Sequence, residues 1–246
     1  MMEKKYKLTE ETINVDGRTL YRIEAVKEFA DVKKGDKGGW VESEDNLSQE
    51  DNCWVYDNAK VYGNALIYGR AIIYDNAKVY DEADVCEDAK VFEDAEVFGN
   101  AYVFGNAEIS GDAKIFGNAQ IRCDAVVCDD AKIYGNVIVC GNADVYGNAR
   151  IYGNAQVFGN AYVFGNAEIR GDAEIASNSD YILFKNWWSS GRFFTWTRSN
   201  NMWKVGCFYG TGEELIKKAY KDSEMSGEEY ERVVKYVEAI LKANKL

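Results

Sequence analysis

Histidine and proline are both absent from this chain of 246 residues. Without histidine the commonest general base and the commonest zinc ligand are missing, which argues against histidine-dependent acyl transfer and histidine-bound zinc. Without proline the turns must be made by other residues. Six cysteines are scattered with no CxxC pair. That spacing argues against a disulfide framework or a zinc site and fits a reducing cytoplasm. No apolar run reaches the length of a membrane-spanning helix. The opening MMEKKYKLTEET lacks the apolar stretch of a secretory signal. Positive charge is scarce in the middle: residues 55–175 carry nine basic and nineteen acidic side chains, a net of −10 out of −12 for the whole chain. Bulk binding of double-stranded DNA is not expected of such a surface.

What the chain has in abundance is one phrase. From Val55 to Glu174 it runs through twenty unbroken hexads, VYDNAK to IRGDAE. Position 1 is always Val or Ile, and position 5 is Ala in nineteen, with Val137 the exception. Position 4 is Asn or Asp in eighteen, and position 3 is Gly in thirteen. Residues two apart on a strand share a face, so Ala59 and Val61 are expected to point inward together. Gly or Asp followed by Asn supplies the left-handed backbone of a tight corner. One hexad is thus one short strand and one corner, and three hexads close one triangular coil. Twenty hexads predict six to seven coils, roughly 30 Å of rod at about 4.8 Å per coil. A helix is excluded, because Gly and Asn recurring every six residues would break it.

The pattern strongly resembles the hexapeptide-repeat, left-handed parallel β-helix. The resemblance implies a mainly β fold: a triangular solenoid with three hexads to the coil. The predicted divisions are an N-terminal β cap over 1–42, the β-helix over 43–175 and a C-terminal α+β module over 176–246. The cap rests on an alternating stretch, TINVDGRTLYRIEAV, with a hairpin signal at Asp16-Gly17. SEDNLS and QEDNCW keep the hexad phase, with Leu47 and Cys53 in the position 5 slot, so the first coil is expected to begin near Ser43. The wording from Leu20 to Ala65 resembles a group of bacterial and phage-encoded hexapeptide-repeat proteins, which implies a mobile-element source. Many hexapeptide relatives are acyltransferases and others are zinc carbonic anhydrases. Their histidines have no counterpart here, so no catalytic residue, metal or cofactor is assigned.

Residues three hexads apart should stack. One corner column reads Tyr62, Tyr80, Phe98, Phe116, Tyr134, Tyr152 and ends at Arg170. Such a column either ties coils together or offers an interface for self-association or another protein. A second column collects Asp57, Asp75, Glu93 with Asp94, Asp112, and Asp129 with Asp130. Clustered carboxylates suit a divalent cation, but the neighbouring column of Lys60, Lys78, Lys114, Lys132 and Arg150 favours mutual screening.

After Ile175 the phrase stops. Residues 181–212 read as two or three strands, YILFKN, RFFTWTRS and MWKVGCFYG, followed by two helices. Thr211 with Glu214, and Ser226 with Glu229, are the expected capping boxes. This β part holds ten aromatics, four basic groups and no acid. Trp187, Trp188, Arg192, Trp196, Arg198 and Lys204 are the candidate ligand contacts, and a nucleotide or phospho-group is the ligand they suit. The competing reading is that these aromatics form the module's own core. The functional expectation is a non-catalytic scaffold that binds a protein partner or itself. The alternative is a mobile-element protein that binds a host factor or nucleotide signal to counter host defence.

Overall fold

A computed structural model describes residues 4–187 and 191–243. The chain divides into two compact units, 1–178 and 179–246.

The first unit is a parallel β-helix with three sheets. Its repeating rungs are short, and each pairs with the rung three hexads away, as Glu96 with Lys114 and Val97 with Ile115. The first face carries the rungs from Lys60–Val61 to Glu168–Ile169, the second those from Leu66–Ile67 to Glu174–Ile175, and the third those from Trp54–Val55 to Tyr162–Val163. The position 1 aliphatics and position 5 alanines are all buried. Each branched aliphatic so buried contributes about 1.5–3 kcal/mol. Alanine is needed opposite them because three strands converge on one axis and leave no room for a second large side chain.

All twenty position 3 residues have positive φ. Thirteen are glycine; the others are Asp57, Asp75, Asp81, Glu87, Glu93, Cys123 and Asp129. The six carboxylates among them have a second task. Each accepts the backbone N–H of the corner one coil above: Glu87 Oε2 from Gly105 at 2.9 Å, Glu93 Oε2 from Gly111 at 2.6 Å, Asp129 Oδ2 from Gly147 at 2.9 Å. Asp57, Asp75 and Asp81 do the same at 3.4, 3.2 and 3.2 Å. Four members of the acidic column, Asp57, Asp75, Glu93 and Asp129, are therefore corner caps, as are Asp81 and Glu87 on the other two edges, a role that neither the cation reading nor simple screening by lysines anticipated. Among these corners Cys123 alone has neither a glycine's freedom nor a carboxylate. Cys123→Gly should accordingly stabilise the protein by about 0.5–1 kcal/mol, while Asp129→Gly should show no such gain. Urea unfolding of the two variants checks this, and an equal response would contradict the capping role.

The N-terminal segment forms a hairpin, β1 (Tyr6–Val15) and β2 (Arg18–Ala25), and a third strand, β3 (Lys37–Val41). These strands continue the first face rather than forming a separate layer, since β3 pairs in parallel with Lys60–Val61. Parallel pairing with the coils thus begins at Trp40, ahead of the expected Ser43. The first coil hides this from a periodicity search because it is longer. Val41 pairs Val61 and Leu47 bridges Ile67, each two positions more than three hexads, before Trp54 restores the regular spacing by pairing Ile72. Leu47 consequently occupies the aliphatic slot rather than the alanine slot. The two added residues fall between Leu47 and Trp54, after a 3-10 turn, Glu44–Asn46, whose Asn46 Nδ2 donates to the carbonyls of Gly63 and Ala65 at 3.0 Å each.

The second unit is a four-stranded antiparallel meander followed by two helices. Its strands are β4 (Tyr181–Lys185), β5 (Phe193–Thr197), β6 (Met202–Val205) and β7 (Phe208–Gly210). The stretch expected as one strand, MWKVGCFYG, is a hairpin that turns at Gly206, whose φ is +54°. Helix α1 (Gly212–Asp222) starts at the expected capping box of Thr211 and Glu214. Helix α2 (Glu224–Ala243) starts ahead of Ser226. Ser223 is its cap, accepting the N–H of Ser226 at 3.1 Å. Phe194, Trp196, Trp203, Val205, Leu215, Val234 and Val237 form the core of this unit.

Candidate ligand site in the C-terminal module

On the β-helix, side chains that face outward largely serve the next coil. The aromatic column stacks with ring centroids 4.8–5.0 Å apart and planes within 6° of parallel. Arg170 closes it, 5.5 Å above the Tyr152 ring. The ring faces of Tyr80, Phe98, Phe116 and Tyr134 are occupied on both sides, so only edges are open to a partner. Burial, first of all, pushes the Tyr62 hydroxyl up to about 12. A parallel ladder of amides runs beside it. Asn100 donates to Asn118, Asn118 to Asn136, Asn136 to Asn154 and Asn154 to the Asp172 carboxylate, at 2.9–3.2 Å.

The column of basic residues on the first face is interrupted by Glu96, which lies between Lys78 at 3.1 Å and Lys114 at 3.0 Å. Burial raises the pKa of this carboxyl, but the hydrogen bonds and charges of the two ammonium groups outweigh it and hold it below its ordinary value of 4.5. A carboxylate whose folded pKa is lowered stabilises above the unfolded pKa, and that contribution is lost as pH falls through the folded value. The stability difference between the native chain and Glu96→Gln should therefore shrink as pH is taken from about 7 to below 4, measured by urea unfolding at each pH. A difference independent of pH would contradict it.

In the C-terminal module the six candidate contacts separate. Trp196 is a core residue, 2% exposed, with its indole N–H donated to Asn201 at 2.9 Å. Lys204 is buried, and its ammonium donates to the Gly206 carbonyl. Arg198 pairs with Asp180 at 3.6 Å, an acid just outside the acid-free stretch. Trp187 is exposed. Trp188 lies outside the described residues. Strand β5 explains the separation: it lies between β4 and β6, so one of its faces must meet the helices, and Phe194 and Trp196 point that way.

Two candidates line cavities: Trp196 borders one of about 280 Å³ together with Trp203, Val234 and Val237, and Arg192 borders another. The Arg192 chain lies beside Gly206, which has no side chain to block it. Its cavity measures about 270 Å³, with Val205, Leu215, Ala219 and Tyr230 among the lining residues. Arg192, Lys218 and Asp222 provide its charges, and Cys207 lies at the same lining. The Lys218 ammonium is 5.9 Å from the centre of the Phe208 ring. The charged ends of Arg192, Lys218 and Asp222 make no hydrogen bond or ion pair with another described residue. Sequence reasoning found Arg192 through its aromatic neighbours. It missed Lys218 and Asp222, whose only signal is an i, i+4 spacing on the polar side of an amphipathic helix. Among the described residues no group of three or more His, Cys, Asp or Glu is placed to hold a metal ion. No helix among them is long and apolar enough to cross a membrane.

Comparison with known proteins touches the β-helix. Residues 143–157 are similar to the family described as YdcK Beta solenoid repeat. The matched stretch, ADVYGNARIYGNAQV, includes two position 3 glycine corners and two position 2 tyrosines, so what it shares is the coil-building rule. No curated protein matches the chain.

Proposed function

We propose that this chain is a non-catalytic binding protein, with the β-helix as its rigid body and the C-terminal module as its recognition element. One observation carries the reading: three charged side chains that make no hydrogen bond or ion pair with another described residue border one small cavity with apolar walls. The outward groups of the β-helix, by contrast, are largely engaged in stacks, caps and ladders between coils. The second reading is a mobile-element protein that binds a host factor or a nucleotide signal. It draws on the same cations, Arg192 and Lys218, which suit a phosphate. Self-association is the role left to the edges of the aromatic column.

Titration calorimetry of the full chain against small charged metabolites, nucleotides, short oligonucleotides and coenzyme A tests the reading. Heat with a small ligand, lost in Arg192→Ala, is the expected result. Binding of coenzyme A accompanied by acyl transfer to an added amine would overturn the non-catalytic assignment.

A further inference from the structure

We infer that the cavity at Arg192 takes a zwitterion with an apolar side chain, chemically an α-amino acid; the inference rests on the small-ligand reading above and specifies its chemistry. Volume sets the first limit. About 270 Å³ holds roughly nine waters at liquid density, and so admits one small organic molecule. Charge sets the second. Arg192, Lys218 and Asp222, all solvent-exposed, stand at its border, and their charged ends make no hydrogen bond or ion pair with another described residue, the Lys218 ammonium having only the Phe208 ring near it at 5.9 Å. A simple anion would use Arg192 and Lys218 but would bring like charge against Asp222. A nucleotide would do so with two negative charges and would find only Phe208 and Tyr230 as rings to stack on. A zwitterion answers all three groups: its carboxylate meets the planar fork of Arg192 and the ammonium of Lys218, and its own ammonium meets Asp222. The third limit is the apolar lining. Val205, Leu215 and Ala219 offer no hydrogen-bonding side chain, so the remainder of the ligand must be apolar. Leu215 and Ala219 lie one helical turn apart on α1, with Lys218 and Asp222 beside them, so one helix sets the distance between the charge contacts and the apolar contact.

The test uses the full chain and five probes: leucine, phenylalanine, N-acetyl-leucine, leucine amide and adenosine monophosphate. Leucine or phenylalanine should bind, by calorimetry and by shifts of module resonances in NMR. Blocking either charged end of leucine should weaken binding about ten- to a hundredfold, the span expected for one hydrogen bond to a charged group. Asp222→Asn should weaken leucine to the level of N-acetyl-leucine and leave N-acetyl-leucine unchanged, whereas Arg192→Ala should weaken both. Neither variant removes a core residue, so melting temperatures matching the parent confirm that folding is intact. N-acetyl-leucine binding as tightly as leucine would overturn the zwitterion. Binding of the monophosphate with both amino acids silent would also overturn it while leaving the small-ligand reading in place. Silence from all five probes would overturn both.

Discussion

Lys5→Met should destabilise the β-helix by about 3 kcal/mol, although it exchanges one buried side chain for another of similar length. Lys5 is 1% exposed, and its ammonium donates to the carbonyls of Glu50, Asp51 and Cys53 at 3.1, 3.4 and 2.9 Å. These carbonyls belong to the first coil, and no backbone N–H of the described residues donates to them. Tyr6 completes the arrangement, its hydroxyl donating to Glu44 and Leu47 at 2.9 and 2.7 Å. Methionine fills the space but donates nothing, so three carbonyls are left without the donor that Lys5 provided. Burial lowers the Lys5 pKa, and the nearby Cys53 opposes that shift. The ammonium therefore bears a desolvation cost that its hydrogen bonds must offset. For a unit of this size the loss corresponds to a fall in melting temperature of roughly 6–12 °C. Lys4→Met is the control. Lys4 is exposed and pairs with Glu44 at the surface, a contact worth less than about 1 kcal/mol. Equal melting temperatures for the two variants would remove Lys5 from its role as a cap.

Gly105→Ala should cost about 2–3 kcal/mol, several times the effect of Gly17→Ala. Both glycines have positive φ, +75° and +82°, so both substitutions carry the left-handed penalty of about 1 kcal/mol. They differ in what surrounds them. At Gly17 a Cβ meets nothing within 4 Å, whereas at Gly105 it falls 2.7 Å from the amide nitrogen of Cys123 and 2.9 Å from its carbonyl oxygen. Backbone one coil away cannot rotate aside as a side chain can, so the stack must open locally. Urea unfolding of the pair separates the two costs. Similar values would mean that coil spacing yields easily and that conformation alone selects glycine at these corners.

The β-helix was legible in the sequence because its physics is local and repeated. Every hexad restates which residues go inward and where the chain turns, and twenty restatements leave no other fold. The first coil was less legible because two added residues between Val41 and Trp54 shift the phase, and only the pairings with Ile67 and Ile72 reveal it. The acidic column was visible, but its purpose was not. A carboxylate that caps the corner above depends on φ at its own position and on an N–H three hexads further along, and composition reports neither. The C-terminal module is written only once. The 3.6-residue spacing of Tyr230, Val233, Val234, Val237, Ile240 and Leu241 marks one apolar face of α2, and of these Val234 and Val237 are buried with Tyr230, Val233 and Leu241 packed against them. The cluster of basic and aromatic residues was misleading there, because strand alternation sent Trp196 into the core while Arg198 found Asp180. Arg192 remained at the surface beside a helix whose charges no strand pattern could bring into view.

A coil of three hexads makes length a separate variable from shape. Excising one whole coil, for example 109–126, joins like to like: each remaining rung still lies over a rung of its own face. Excising a single hexad keeps the spelling intact yet turns every later residue onto the next face. The aromatic column would then meet a different column halfway along, and the corner carboxylates would cap a different edge. Hexads can therefore be copied freely by the chain's grammar but only in threes by its architecture. The twelve residues VFGNAYVFGNAE, which begin at Val97 and again at Val157, stand ten hexads from each other and so start on different faces. A change of length by whole coils would move the two ends of the β-helix by about 4.8 Å per step while leaving every side-chain contact of the retained coils in kind.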